Sequence, residues 1–526
     1  MQSTPTSLLR ALEDGSEEPI DVADLYRYQR YRWLSGESEK LAIRYRKVNL
    51  QALLDASVKA AGDDEISCVK LLKYVEGQFN KAFLLTMSNG LEVVARLPNP
   101  NAGPAFYTIA SEVATRHFLR DKMGVPIPRI CGWSAEACNP VGAEYILEEK
   151  ATGQPLGNVW ANLTMAAQLD VVDQAVDMEK IASISFPKHG CLYYENDLKS
   201  RPLDYEALDS RHGLSESATG QDDQLPVFVI GPSVNPKLWE REKAAMDLDR
   251  GPCTVADYAA ALGKNEIEWA SSHARQRINF YRSMESPETP NDYITLITHF
   301  LVLAPYLAAS SNIEQPNRIS HPDLHLDNIF FDPETNRVTC IIDWQQASAC
   351  PISLKRSPPQ MLELSSSSHS DRSNHERKLL DHYHNAVKKS DPPRWEVISD
   401  SLLTVKTNPF VLVPGCWLRD DLFSLRNALI AVIARWSDMG YGEVPCPIHF
   451  SEEELLQHQH EMDVVEGIST LLHELQDTGL IPLGGMVRRE YYEHAMGLND
   501  YSRRLFIDVA ENERQREVHA KIWPYQ

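Results

Sequence analysis

Residues 321–331 read HPDLHLDNIFF, and residues 338–345 read VTCIIDWQ. The first stretch places a carboxylate, Asp323, and an amide, Asn328, on one loop that enters an apolar run. The second is a β-branched run that ends in Asp343. Two short strands joined by PETN (333–336) form a hairpin, and a hairpin brings Asp343 beside Asn328. Asn and Asp offer hard oxygen ligands, which suit Mg²⁺ bound to phosphates. Asp323 is then free to accept a proton from an attacking hydroxyl. A lone Asp is ordinarily a cap or turn residue; the whole string points to phosphoryl transfer. His321-x-Asp323-x-His325 also admits a metal-hydrolase reading. Such a site needs further ligands at suitable spacing, and His117, His189 and His299 are isolated.

The string matches the protein-kinase pattern H-x-D-L-x-x-x-N. It resembles more closely the aminoglycoside phosphotransferase family, in which that loop is followed by an I-D-W-type aspartate, here Ile342-Asp343-Trp344. The resemblance implies an α+β, bilobal protein-kinase-like fold, with a small antiparallel-sheet N-lobe and a larger, mainly helical C-lobe. It implies Asp323 as catalytic base, with His321 bracing the loop, and Asn328 and Asp343 as Mg²⁺ ligands. ATP would lie in the cleft, and the γ-phosphoryl group would move to a hydroxyl of a small molecule. Further stretches, among them EGQFNKAFLLTMSNGLEVVARLPNP (76–100), FPKHGCLYYENDL (186–198) and FVIGPSV (228–234), look like fungal kinase-like proteins related to altered inheritance of mitochondria protein 9.

The same resemblance directs attention upstream. In the family a strand cation meets the ATP phosphates; the matching strand is LEVVARLP (91–98), and its cation is Arg96 in place of the kinase lysine. The helix that follows supplies Glu112 to hold that cation. A phosphate-covering loop falls on Glu76-Gly77-Gln78-Phe79-Asn80-Lys81, where Gly77, Phe79 and Asn80 would line the nucleotide. It has one glycine and no G-x-G-x-x-G, so a plain hairpin turn explains it equally. The linker around Leu147, Glu149 and Ala151 would offer its backbone to the adenine.

Periodicity gives the surroundings. NLQALLDASVKAAG (49–62) is an amphipathic helix with Asn49 as N-cap and Gly62 past its end. Asn89-Gly90 between two apolar runs is a hairpin turn expected to need two positive φ values. Helices are expected near Thr164–Ile184, Thr254–Ser283 and Asn291–Ala309, with 196–252 irregular between them. SLKRSPPQMLELSSSSHSDRSNHER (353–377) reads as loop, either a tolerated surface insertion or a phosphosite segment. Expected divisions are an N-terminal extension packing on the body (1–48), the N-lobe (49–153), the C-lobe (154–415) and a helical C-terminal extension of the C-lobe (416–526).

The chain has 526 residues, 43% of them apolar and 24% charged, with a net charge of -22. That balance argues against nucleic acid as the main partner, because phosphate backbones call for a basic face. Nine scattered cysteines without a C-x-x-C pair fit a reducing compartment. The N-terminus lacks a secretory pattern and carries acids early. Residues 293–309 are the most apolar stretch, but His299 and Pro305 interrupt it and it is short for a membrane span. The expectation is an intracellular protein, cytoplasmic by its own pattern and mitochondrial by resemblance. The alternative to an active kinase is a nucleotide-binding pseudokinase acting as an interaction protein, kept open by Arg96 and by the lack of a glycine after Asp343-Trp344.

Overall fold

Alternation along LEVVARLP gives its strand two faces. Val93, Ala95 and Leu97 are buried against Leu53 and Leu54 of the helix Leu50–Ala60, while Arg96 points to the opposite face. That helix is capped as its sequence implies, with the Asn49 side chain accepting from the Ala52 N–H. The computed structural model describes residues 7–525 except 63–64, 182–183, 209–226, 280–286, 309–315, 355–357, 365–369 and 478–482.

The N-terminal strands are β1 (Ser7–Ala11), β2 (Glu17–Pro19), β3 (Tyr31–Trp33), β4 (Cys68–Lys73), β5 (Asn80–Met87), β6 (Glu92–Pro98), β7 (Ile130–Ser134) and β8 (Tyr145–Glu149). Seven of them form one sheet in the order β2-β1-β4-β5-β6-β8-β7. The five from β4 to β8 pair antiparallel. β1 adds to β4 in parallel, so the N-terminal extension is woven into the sheet as well as packed on it. The β5–β6 turn differs from expectation. Gly90 has φ +84° while Asn89 keeps a negative φ and its side chain accepts from the Leu91 N–H. One left-handed residue is enough because the loop is a residue longer than the two-residue turn.

A helix at Tyr107–His117 lies under the sheet, buried continuously from Thr108 to Arg116. The chain leaves β8, crosses to the C-lobe and pairs Gln154–Pro155 with Phe330 and Phe331 of the hairpin that follows Asn328. Gly153 makes this crossing possible: it has φ +86°, and a Cβ there would lie 2.7 Å from the Phe331 carbonyl oxygen.

The C-lobe is mainly helical. Helices Val255–His273, Pro290–Ala308, Leu403–Leu412 and Leu422–Ala434 share one core around Trp269, Ile297, Phe300 and Leu429. Among the described residues no helix is long and apolar enough to cross a membrane. The stretch 196–252 is less irregular than its turn residues imply. Phe228–Gly231 is a buried strand pairing with Cys191–Tyr194 and Glu206–Ala207. The segment 353–377 is also corrected, because a helix spans Ser370–Ser390. Leu379, Tyr383 and Val387 recur every fourth residue and pack on Val172 and Val176, an apolar stripe that overrides the polar start. The serine run at 365–368 lies outside the described residues.

The last part of the chain does not stay with the C-lobe. Met486–Arg488 pairs antiparallel with β3, and Val487, Tyr492, Trp523 and Tyr525 form a small core with Leu34. The 416–526 segment therefore divides: its first helix completes the C-lobe core, and its end returns to the N-terminal extension.

Candidate active site

The hairpin is formed by Ile329–Asp332 and Arg337–Ile341. Its ladder continues to the site, where the Ile342 N–H donates to the Asn328 carbonyl at 3.0 Å. Asp343 therefore follows directly beside Asn328. Asp343 itself sits at φ +62°, a left-handed conformation that a non-glycine residue rarely adopts. The turn is held by Trp344, buried, whose indole N–H donates to the Ile341 carbonyl at 3.2 Å. The second left-handed residue is Gln346, φ +69°, so the turn needs no glycine directly after Trp344.

His321 closes the loop from behind. Its Nε2–H donates to the Ile342 carbonyl at 2.8 Å, and its Nδ1 accepts from the Asp323 N–H at 3.2 Å. Both contacts hold together only for the neutral imidazole protonated at Nε2. Burial keeps its pKa below the usual histidine value. Both ring nitrogens are turned to the loop backbone, and among the described residues no group of three His, Cys, Asp or Glu side chains is placed to hold a metal, which speaks against the hydrolase reading. His325 Nδ1 likewise accepts from the Asp327 N–H at 3.2 Å. Asn328 Nδ2 donates to the Asp323 carbonyl at 2.9 Å, tying the two ends of the loop. The Asp323 carboxylate is well exposed toward solvent.

Arg96 reaches this site from the N-lobe. It pairs with Glu112 on the helix below, and its Nη1 lies 3.2 Å from Asp343 Oδ1. Burial works against the Arg96 charge, while Glu148 and Asp343 support it. Arg116, one turn beyond Glu112, pairs with Glu148 and approaches Glu112 at 3.6 Å. Arg116 and Glu148 were not among the sequence candidates; the Glu112-x-x-x-Arg116 spacing is the signal that marks the first of them.

The loop read from sequence as a phosphate cover, residues 76–81, connects β4 to β5. Glu76 is buried beneath it, 2.6 Å from Lys81 Nζ and 3.3 Å from Lys73 Nζ. Gln29 N–H also donates to Glu76, at 2.7 Å. This buried set was missed because Lys and Glu ordinarily read as surface residues. Gly77 has open space around its Cα, so nothing here requires glycine by packing. Phe79 is exposed at the loop tip. Asn80 Nδ2 donates to Gln345 Oε1 at 2.8 Å, joining the loop to the turn after Asp343.

The adenine-linker residues fall differently from expectation. Leu147 lies inside β8, paired on both sides, with its side chain in the core shared with Leu53. Glu149 ends that strand, its N–H given to the Arg129 carbonyl and its carboxylate to Arg129. The strand holds both because β6 pairs with it as far as Glu149, opposite Val93, and β7 as far as Glu148. The interlobe linker begins at Lys150 and contains Ala151.

The phosphotransferase enzyme family matches residues 71–353 of the chain. A subtelomeric hrmA-associated cluster protein of Aspergillus fumigatus is 30% identical over 522 residues, 87% of this chain and 97% of that protein. Altered inheritance of mitochondria protein 9, mitochondrial, of Kluyveromyces lactis is 23% identical over 452 residues, 75% of this chain and 70% of the relative. Among solved structures, the apoenzyme of macrolide 2'-phosphotransferase MphH from Brachybacterium faecium covers 72% of this chain and 98% of its own, with 12% identity and a TM-score of 0.33.

Proposed function

Because the chain belongs to the phosphotransferase enzyme family, we propose that it moves the γ-phosphoryl group of ATP to a hydroxyl of a small molecule. One observation carries this reading. Arg96, from the N-lobe, contacts both Glu112 and Asp343, which supports reading Arg96 as the cation for the phosphates and Asp343 as a metal ligand. An arginine can make both contacts at once because its guanidinium presents several donors in a fixed plane.

The donor set fits Mg²⁺. Asn328 has committed Nδ2 to Asp323, which leaves its amide oxygen for a cation, and Asp343 adds a carboxylate. Two hard oxygen donors, with phosphates and water completing the shell, is the arrangement this ion favours. When bound, the ion neutralises charge on the phosphates. Arg96 would balance the remaining negative charge. Asp323 would orient the acceptor hydroxyl and take its proton, while His321 holds the loop in register.

The test is calorimetry of Mg²⁺-dependent ATP binding by the full chain beside Asp343→Ala. Micromolar affinity that collapses in the variant supports the reading. No binding by the wild type would overturn it, together with the nucleotide-binding pseudokinase alternative. The relative named mitochondrial supports a mitochondrial location, which a fluorescent fusion imaged with a mitochondrial dye checks.

A further inference from the structure

A pocket of about 60 Å³ opens beside the catalytic loop, and Asp323 is part of its lining. Its walls are Val125, Met178, Leu324, Ile341, Trp344 and Pro359, with Ala175 also lining it. The charged side chains among its described lining residues are Asp323 and Glu179. Glu179 is already engaged: Arg394 Nη2 lies 3.1 Å from its Oε1, and Tyr383 donates to its Oε2 at 3.4 Å. His321, which also lines the pocket, has both ring nitrogens occupied. The polar groups that can meet a ligand are Asp323, Ser320, whose hydroxyl also lies 3.8 Å from Cys350 Sγ, and, at the exposed mouth, Gln360.

A polycationic acceptor needs several free carboxylates, since each desolvated ammonium must be paired. This pocket offers one, and the proposed chemistry reserves it for the hydroxyl. Its apolar walls instead favour a hydrocarbon surface, which gains by leaving water. A cavity of this size holds roughly four to six water-sized groups.

Resting on the phosphotransferase reading, we infer that the acceptor is an uncharged alcohol whose short apolar body seats in this pocket with its hydroxyl at Asp323. The acceptor oxygen forms the new bond to the γ-phosphorus, and the bond from that phosphorus to the β–γ bridging oxygen breaks. The hydroxyl proton passes to Asp323, and ADP leaves. The net charge of -22 does not decide the acceptor, because specificity is set by the groups that line the pocket.

The experiment measures binding of cyclopentylmethanol by saturation-transfer NMR to the full chain, with glycerol and kanamycin as polar and polycationic controls. Ala175→Leu and Met178→Trp fill the pocket from the helix Met165–Ile181. Cyclopentylmethanol should bind the wild type in preference to both controls, and at least about tenfold more weakly in each variant, the loss expected when apolar walls no longer admit the ring. ATP binding is measured in parallel as the fold control. Preference for kanamycin or glycerol, or equal alcohol binding by wild type and both variants, overturns the inference. Should both variants unfold, the comparison of the three ligands on the wild type still decides. Alcohol binding without ATP binding would sink the phosphotransferase reading and leave the pocket standing; ATP binding without alcohol binding does the reverse.

Discussion

Asp323 shows how much of a catalytic assignment rests on one side chain. Its N–H is held by His321 and its carbonyl by Asn328, so the carboxylate is the part left for chemistry. Replacing it by Asn preserves both backbone contacts and removes the proposed proton acceptor. Asp323→Asn should lower kcat by roughly 10²–10⁴-fold, the usual worth of a general base, while ATP affinity by calorimetry stays near wild type. A buried histidine away from the site should contribute to acid sensitivity. Burial pushes the His189 imidazole down from 6.5 to about 4. Between those values the unfolded chain binds a proton that the folded one does not. Stability therefore holds above about pH 6.5 and falls as pH drops toward 4, by on the order of 3 kcal/mol from this group. Urea midpoints at about pH 7.5 and about pH 5 measure the loss. His189→Gln should flatten that pH dependence.

At the scale of elements, the strand β6 and the helix Leu50–Ala60 were readable from pattern alone. Period-two alternation puts Arg96 opposite Val93, Ala95 and Leu97, and an N-cap with a trailing glycine bounds the helix. Asn49→Ala removes the bond to the Ala52 N–H and should cost about 1 kcal/mol, seen as a lower urea midpoint at unchanged slope. Other elements were hidden for identifiable reasons. Phe228–Gly231 is too short to show alternation and is buried on both faces. The helix Ser370–Ser390 begins with Ser, Asp, Arg, Ser and Asn, which carry turn chemistry, and its apolar stripe starts only at Leu379. Leu147 and Glu149 lie in a strand, and where that strand gives way to the linker depends on how far its neighbours run.

Across the whole molecule, an N-terminal and a C-terminal segment meet at the loop of residues 76–80. Met486–Arg488 pairs with β3, Met486 Sδ accepts from Gln78 Nε2 at 3.3 Å, and Arg44 donates to Gln78 Oε1 at 2.8 Å. Val487 is buried in the small core that joins them. Val487→Asp places an unpaired carboxylate in that core, and such burial is costly. Hydrogen exchange should then quicken in β3 and in residues 76–80, with protection unchanged in the helices Val255–His273 and Pro290–Ala308. Faster exchange confined to β3 would show that the loop is held without the C-terminal strand. The sequence alone determined the hairpin of the candidate site, because Asp323, Asn328 and Asp343 lie within one local unit whose spacing and ladder bring them together. It also determined that Arg96 and Glu112 occupy a strand and the following helix. Only the tertiary structure decided that Arg96 bridges to Asp343, that Glu76 is buried between Lys73 and Lys81, and that the C-terminal strand docks on β3. The Arg96–Asp343 contact and the pairing on β3 join residues far apart in the chain, and their partners are chosen by how separate elements pack. Glu76 and its two lysines are sequence neighbours, but their burial depends on what packs over them, which no local pattern encodes.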